Sequence, residues 1–387
     1  MSDPGRTLVG GEAPTKNPAR GGDVVIVGGG VIGCMIALEL TDRYQADVVV
    51  LERAVPGAEA SSAAAGILGA QVESHQKPKD GGMLFTLLLA SRARHAELDA
   101  RLREMVGVGT GYRKCGLVRV THDASSLEKL ARAHTWQCDY GGIVQRLERD
   151  DAHELEPALA ESIAGGVHLP DEAQVDPRAL LRALQQACAV RGVKFRTGIF
   201  VRGVSTEPSR FGVETSEGLI AAASIVIAAG SWSSLVDGLP EGVRSVRPVR
   251  GQIVQVETRP PIVKRIVVGD AGYVLARADG RTLLGSTMEE VGHVKEVTVG
   301  GVHEVLHRAL SLIPSLAQAP ISATWSGFRP ATPDDRPILG ETSVPRLYAA
   351  TGHHRNGILL APETGRLLAD LVATGKCDRD LSPFAPR

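Results

Sequence analysis

A glycine-rich turn between a short apolar strand and a helix constrains this chain more than any other feature. Residues 23–27 predict a buried strand, and residues 34–44 predict a helix. The turn between them follows the pattern G-x-G-x-x-G, with Gly28, Gly30 and Gly33. The first glycine permits the tight turn, the second lets backbone approach a pyrophosphate, and the third lets the helix pack on the strand. Free N–H groups at the helix start would attract that anion.

A second strand and a terminal acid complete the predicted unit. Residues 47–51 are mostly valine, and Glu52 follows them, 19 residues beyond Gly33. A carboxylate at this position binds the ribose hydroxyls of an adenine dinucleotide. The pattern therefore predicts dinucleotide binding, and the alternative is a glycine-rich turn in another kind of α/β protein.

The composition is that of an ordinary globular protein, long enough for two domains. The 387 residues are 43% hydrophobic and carry a formal net charge of −1, which does not favour nucleic acid or an anionic membrane as a partner. Five scattered cysteines without a C-x-x-C pair predict free thiols, a reducing cytoplasmic location and no metal site. No uncharged run is long enough to span a bilayer. Residues 1–22 are expected to form a disordered extension.

Two further stretches of small residues are suited to contact with a flat or phosphorylated ligand. Residues 60–70 place Ser61 and Ser62 among alanines and glycines, and a short helix packed by its alanines is the alternative. Residues 223–229 predict a buried strand that runs into Gly230, and a plain strand and turn is the alternative.

The sequence pattern changes from residue 246 onward to alternating strands separated by turns, which indicates an antiparallel sheet. We therefore expect a mixed α/β protein of two domains, in which the nucleotide-binding domain is discontinuous. The predicted nucleotide-binding domain comprises residues 23–105, 165–240 and 325–387, and the second, substrate-binding domain comprises residues 106–164 and 241–324.

Three segments carry a resemblance to a known family. They are residues 62–70 (S-A-A-A-G-I-L-G-A), 327–334 (G-F-R-P-A-T-P-D) and 353–362 (H-H-R-N-G-I-L-L-A-P). Together with the dinucleotide motif, they resemble the FAD-dependent D-amino-acid oxidase superfamily and, within it, the glycine oxidase family tied to thiamine biosynthesis in bacteria. The resemblance implies FAD as the cofactor, a Rossmann-type FAD-binding domain and a second domain with a mainly antiparallel sheet. The related sarcosine oxidases attach flavin to a cysteine, and no cysteine stands in a matching context near residues 327–340, so non-covalent FAD is expected.

The resemblance also implies which residues contact the FAD. Backbone N–H groups from Asn356 onward, near a closing helix predicted over residues 363–374, would stabilise the negative charge of a reduced flavin. The expected cofactor-binding residues are Gly28, Gly30, Val31, Ile32, Gly33, Glu52, Arg53, Ser61, Ser62, Ala65, Gly66, Ile67, Ile199, Gly230, Trp232, His354, Arg355, Asn356, Gly357, Ile358, Leu359 and Leu360.

The family chemistry is oxidation of an amine that lies next to a carboxylate. Hydride passes from the substrate α-carbon to flavin N5, the imine is hydrolysed, and dioxygen reoxidises the flavin to give hydrogen peroxide. The resemblance therefore implies a small amino acid or amine and dioxygen as reactants.

Four residues match the family's substrate pocket. Arg329 matches the arginine that grips the substrate carboxylate, a role that suits a guanidinium fork, and Tyr273 matches a pocket tyrosine. Arg355 is expected beside the flavin and substrate, and Met288 is expected to wall the pocket. The alternatives are a surface arginine, a tyrosine packed on a strand, a structural ion pair and a core methionine.

Two departures from the glycine oxidase pattern bear on the choice of amine. Ala271 stands where a histidine is usual, and His354 stands where an aromatic residue is usual. A smaller residue at position 271 would either admit a larger amine or weaken the orientation of glycine.

Three other functions stay open at this point. The first is a dehydrogenase on the same scaffold that passes electrons to a quinone or carrier. The others are a non-catalytic flavoprotein and a pyridine-nucleotide dehydrogenase, although the latter leaves residues 62–70 and 354–362 unexplained. The resemblance also suggests a homo-oligomer, specifically a tetramer.

Overall fold

The structure, a computed structural model, describes residues 24–74, 81–207 and 211–386. The extension predicted over residues 1–22 lies outside these ranges. The first elements are β1 (Val24–Val27), α1 (Val31–Tyr44), β2 (Val48–Glu52), α2 (Ala60–Ala63), β3 (Ile67–Leu68), α3 (Met83–Val106), β4 (Leu117–Thr121), α4 (Ala124–Thr135), β5 (Gln145–Glu148), α5 (Arg149–Leu155), β6 (Gly165–Leu169), β7 (Ala173–Gln174), α6 (Pro177–Val190) and β8 (Lys194–Thr197).

The remaining elements belong to both halves of the molecule. They are β9 (Val201–Ser205), β10 (Gly212–Thr215), β11 (Gly218–Ala221), β12 (Ser224–Ile227), α7 (Glu241–Arg244), β13 (Arg247–Glu257), β14 (Ile266–Val268), β15 (Tyr273–Ala276), β16 (Arg281–Gly285), α8 (Val299–Leu312), β17 (Ile321–Ala331), β18 (Ile338–Glu341), β19 (Leu347–Thr351) and α9 (Gly357–Thr374).

A six-stranded sheet in the order β18-β19-β12-β1-β2-β8 forms the centre of the first domain. Its strands are parallel except β18, which pairs antiparallel with β19. All four side chains of β1 are buried, as expected for a strand covered on both faces. Helices α1, α3, α6 and α9 pack on one face, and the strands β9–β11 form a small antiparallel sheet that shares the core on the other. The predicted Rossmann-type domain is confirmed.

An eight-stranded sheet in the order β17-β13-β16-β15-β14-β4-β6-β5 forms the second domain. All its pairs are antiparallel except β4 with β14. Helix α8 packs on strands β13, β15 and β16, while Leu117 and Ile253 share a core cluster with Ala65 and Ile67 of the first domain. The predicted mainly antiparallel second domain is confirmed.

Two segments pair in the eight-stranded sheet although their sequence pattern places them in the nucleotide-binding domain. Strand β6 pairs with β4 over five residues, and β17 pairs with β13 along nearly its whole length. These long-range hydrogen bonds assign residues 165–169 and 325–331 to the second sheet. Local residue pattern does not reveal such pairings, because they join segments far apart in the chain.

The final helix begins at Gly357, earlier than its predicted start at Glu363. Pro362 lies inside it and has no N–H to donate. The hydroxyl of Ser91 on α3 bridges this break: it donates to the carbonyl of Leu359 at 2.7 Å and accepts from the N–H of Glu363 at 3.2 Å. The helix therefore continues through a proline that would otherwise favour a helix start.

Candidate active site

A cavity of about 720 Å³ lies where the edge of the six-stranded sheet faces the eight-stranded sheet. Its lining combines residues at the carboxyl ends of β1, β2 and β12 with residues of β15 and β17. This is the edge at which open α/β sheets bind ligands, and the volume is in the range of small-molecule sites.

The three motif glycines have distinct positions at this edge. Gly28 has a φ of 109°, and a β-carbon on it would lie 2.4 Å from the carbonyl oxygen of Ala228. A β-carbon on Gly33 would lie 2.0 Å from the carbonyl oxygen of Gly28. Only Gly28 and Gly30 of the three line the cavity. Gly33 instead serves the close packing of α1 on β1.

The N-termini of two long helices face the cavity. Helix α1 begins at Val31, whose N–H donates to Ser61 Oγ at 3.0 Å. Helix α9 begins at Gly357, and Asn356, Gly357 and Ile358 line the cavity. Partial positive charge at both helix starts therefore faces the same space, which favours an anionic ligand.

Glu52 presents a fixed carboxylate at the end of β2. Its Oε2 accepts from the Gly29 N–H and its Oε1 accepts from the Ala54 N–H, both at 2.9 Å. Each oxygen keeps a free lone pair, and the residue lines the cavity. The carboxylate is therefore held in place beside the glycine turn and can still accept from hydroxyl groups.

Trp232 is held between two other side chains on the cavity wall. The Arg53 guanidinium lies 3.4 Å from the centroid of its ring, and the His293 ring stacks on it at 4.0 Å. Arg53 also forms an ion pair with Glu59 at 2.5 Å. Among the described residues, the buried Nε1 of Trp232 has no hydrogen-bond partner. This cluster gives the cavity a rigid aromatic and cationic wall.

Arg329 and Tyr273 meet at the other end of the cavity. The Arg329 guanidinium donates from Nη2 to Ser286 Oγ at 2.6 Å and from Nη1 to the Thr287 carbonyl at 3.2 Å. The Tyr273 hydroxyl also bonds to Ser286, and burial raises the pKa of this tyrosine to about 12. Burial lowers the pKa of Arg329, which forms no ion pair with a carboxylate in the described part of the chain. This cation therefore lacks a counter-ion in a partly desolvated site.

The other two predicted pocket residues also line the cavity. Arg355 lines the cavity and also forms an ion pair with Glu73 at 3.0 Å, so its predicted role beside the flavin and substrate stays a prediction. Met288 is 57% exposed, which places it at the cavity mouth. His354 has a φ of 45° and contacts Asp335 at 3.1 Å through Nδ1. Burial lowers the pKa of its imidazole to about 4, so the ring is neutral at neutral pH.

Most of the predicted cofactor-binding residues line this one cavity, and four do not. Gly33 is a packing position, as its distance to Gly28 shows. Ser62 turns its hydroxyl to the carbonyl of Glu59 at 3.3 Å. Leu359 and Leu360 are fully buried in the helix core. The lining residues are Gly28, Gly30, Val31, Ile32, Glu52, Arg53, Ser61, Ala65, Gly66, Ile67, Ile199, Gly230, Trp232, His354, Arg355, Asn356, Gly357 and Ile358.

Several lining residues were not predicted from the sequence. Glu73, Arg119 and Asp270 bring charge to the cavity wall, and Ser286 bonds to both Arg329 and Tyr273. The sequence does mark Arg119, because it is the one charged residue of the apolar strand β4. Nothing in the local pattern marks the others.

The cavity lining fits FAD. Glycine backbone, two helix N-termini and a fixed carboxylate suit a pyrophosphate and a ribose. A β-carbon on Gly30 would have only Ser61 Oγ, at 3.2 Å, as a close neighbour, so backbone is accessible there. The Arg329 guanidinium, at the other end of the cavity, is chemically suited to a carboxylate.

The chain matches known flavoproteins over most of its length. The family model DAO, described as FAD dependent oxidoreductase, matches residues 23–371. Glycine oxidase of Geobacillus kaustophilus is 39% identical over 94% of this chain and 96% of that protein. A crystal structure of glycine oxidase from the same organism superposes with a TM-score of 0.89 over 94% of this chain and 98% of that one, at 38% identity.

A further relative is a longer protein. The bifunctional protein ThiO/ThiG of a Nostoc species is 38% identical over 94% of this chain, which spans 54% of that protein. Among the described residues, we find no helix with the length and hydropathy of a membrane span. On the family match and these relatives, the chain belongs to the DAO family of FAD-dependent oxidoreductases.

Proposed function

We propose that the chain is an FAD-dependent oxidase of glycine and other small amino acids or amines, with dioxygen as the electron acceptor. The relatives named glycine oxidase support this function. The relative named ThiO/ThiG supports a place in thiamine biosynthesis. The observation that carries the proposal is the Arg329 guanidinium, which faces a flavin-sized cavity without a carboxylate partner among the described residues.

Arg329 binds the substrate carboxylate in this proposal. Its Nη1 and Nη2 are steadied by Thr287 and Ser286, so the guanidinium is oriented before substrate arrives. A charge-assisted pair formed in a partly desolvated site is strong and geometrically defined. The Arg329 guanidinium, here called the carboxylate clamp, therefore fixes where the substrate α-carbon lies. This is catalysis by positioning.

Tyr273 supports the same carboxylate. Because burial raises its pKa to about 12, the phenol stays protonated at physiological pH and can donate. FAD, when bound, would supply the two-electron acceptor for the substrate's α C–H hydride, with dioxygen as the final oxidant. Arg355, paired with Glu73, and Met288 at the mouth bound the space beside the clamp.

We assign cofactor-binding roles to residues that line the cavity. We propose that Glu52 accepts from the ribose hydroxyls and that Gly30 and the start of α1 face the pyrophosphate. The start of α9, from Asn356 to Ile358, lines the cavity and would hold the flavin ring. In this proposal the domain around the six-stranded sheet holds FAD and the eight-stranded sheet holds the substrate. From the family resemblance we further propose a cytoplasmic homo-tetramer, which light scattering of the purified protein tests.

Peroxide release by the purified yellow protein in air tests the function. We would offer glycine, sarcosine, D-alanine and D-proline separately and measure hydrogen peroxide and the keto acid formed. Peroxide with glycine or sarcosine is the expected result. Peroxide only with the two D-amino acids would overturn the glycine assignment. Loss of flavin colour under anaerobic conditions without peroxide in air would favour the dehydrogenase.

A further inference from the structure

A second arginine faces the substrate end of the cavity without a counter-ion. Arg119 lines the cavity and, in the described part of the chain, forms no ion pair with a carboxylate. Its buried Nε has no hydrogen-bond partner among the described residues. Its Nη1 lies 3.3 Å from Nε2 of His134, and this contact is not an ion pair with a carboxylate. The carboxylate site proposed above uses Arg329 and Tyr273, so it leaves Arg119 without a role.

The register of the eight-stranded sheet places Arg119 beside the proposed substrate position. Val268 is paired with Arg119 on one side and with Tyr273 on the other, and directly paired residues share a face of the sheet. Arg119 and Tyr273 are thus two strands apart, roughly 10 Å between backbones. Val268 and Ala271 both line the cavity, and Val268 is the residue that lies between Arg119 and Tyr273 in the sheet. An apolar side chain therefore separates the Arg119 cation from the proposed substrate position.

The acids around Arg119 leave its charge available. Glu73 is engaged by Arg355 at 3.0 Å. Asp270 is exposed and forms no ion pair within the described residues. Burial is the main cause that lowers the pKa of Arg119, with Asp270 and Glu73 opposing it. A ligand carboxylate would offset this desolvation and satisfy the free Nε donor.

We propose that Arg119 binds a second carboxylate, and that the substrates of this site include glycines with a carboxylate on a short N-linked arm. This inference rests on the proposed function. The glycine carboxylate lies on Arg329, the amine nitrogen points towards Ala271, and the arm ends on Arg119. In this reaction the α-carbon loses a hydride and the nitrogen loses a proton, which gives a C=N bond. Water hydrolyses this bond to glyoxylate and the amine that carries the arm. Dioxygen takes up the two electrons and two protons and becomes hydrogen peroxide.

The experiment compares each acid with its uncharged amide. The substrates are N-(carboxymethyl)glycine and N-(2-carboxyethyl)glycine, each beside the amide of its arm, and initial rates of peroxide release give kcat/KM. In the native holoenzyme we expect at least one acid to be preferred over its amide. In Arg119→Met the ratio of acid to amide should fall roughly 10- to 100-fold, because a hydrogen-bonded charge pair is lost. Arg119→Lys keeps the charge and should recover part of the ratio.

A binding measurement needs no variant. Diglycolate, the ether analogue of N-(carboxymethyl)glycine, cannot be oxidised, and its monoamide has the same shape with one charge fewer. We expect diglycolate to compete with glycine more strongly than the monoamide does. Equal or weaker competition, or an acid-to-amide ratio that Arg119→Met leaves unchanged, would overturn the role of Arg119. The proposed function itself fails only if glycine and sarcosine also release no peroxide.

Discussion

The Arg329 guanidinium lies directly over Gly251, and a β-carbon at Gly251 would come within 2.4 Å of Nη1. The two residues are on neighbouring strands, where Val249 pairs with Arg329 and Gly251 pairs with Gly327. The arginine thus reaches the cavity only because the adjacent strand has no side chain at this point.

Gly251→Ala should therefore displace the carboxylate clamp. We expect kcat/KM for glycine to fall on the order of 100-fold, because displacement of a positioned group by about 1 Å has effects of this size. Bound FAD should be retained, since the predicted dinucleotide motif lies elsewhere. Gly300→Ala is the matched control, because nothing lies within 4 Å of a β-carbon there. Steady-state peroxide release measures both variants, and a Gly251→Ala enzyme as active as the control would contradict this account of the clamp.

The ribose assignment of Glu52 is tested by FAD affinity. Glu52→Gln keeps the size of the side chain and removes its charge, so we expect FAD to bind about tenfold or more weakly. Fluorescence titration of apoprotein with FAD gives the dissociation constant. Glu217→Gln, at an exposed ion pair with Arg196, is the control for charge loss alone. Equal affinities in the two variants would exclude Glu52 as a ribose ligand.

The dinucleotide unit could be predicted from the sequence because each of its parts is local. Gly28, Gly33 and Glu52 lie within one strand-helix-strand unit, and the spacing of residue types fixes their positions. Arg119 could not be predicted in this way, because its place beside Tyr273 depends on Val268, which pairs with both from a distant part of the chain. The start of α9 was predicted late for a similar reason, since the bridging hydroxyl comes from Ser91 on α3.

The bridge across Pro362 should contribute to stability. Ser91→Ala removes the hydroxyl, so the Leu359 carbonyl loses one donor and keeps its 3.1 Å contact with the His95 imidazole, and the Glu363 N–H loses its side-chain acceptor. We expect the free energy of unfolding to fall by about 1–3 kcal/mol. Chemical denaturation of the holoprotein measures it. Ser311→Ala, at an exposed serine on α8, should change stability much less, and similar losses in both would contradict the bridging role.

Stability should also depend on pH through Glu172. Burial raises the pKa of this carboxyl to about 7, against an ion pair with Arg92 at 2.9 Å. Because the folded state holds this proton more tightly than the unfolded state, the contribution is complete below about pH 4.5 and is lost as pH rises to about 7. The free energy of unfolding is expected to fall by on the order of 3 kcal/mol as this contribution is lost.

Thermal unfolding of the native protein and Glu172→Gln at pH 5 and pH 8 measures this contribution. The uncharged glutamine cannot lose a proton, so we expect the variant to gain stability relative to the native protein as pH rises. An equal difference between the two proteins at both pH values would exclude Glu172 as the titrating group.

The most direct measurement is the anaerobic rate at which glycine bleaches the bound flavin, in the native protein and in Arg329→Met. The account predicts rapid bleaching of the native protein. It predicts a yellow variant that bleaches slower by at least about 30-fold, because a partner in a desolvated charge pair is lost. A native protein that glycine does not bleach, or a variant that bleaches at the native rate, would contradict the proposed function and its carboxylate clamp.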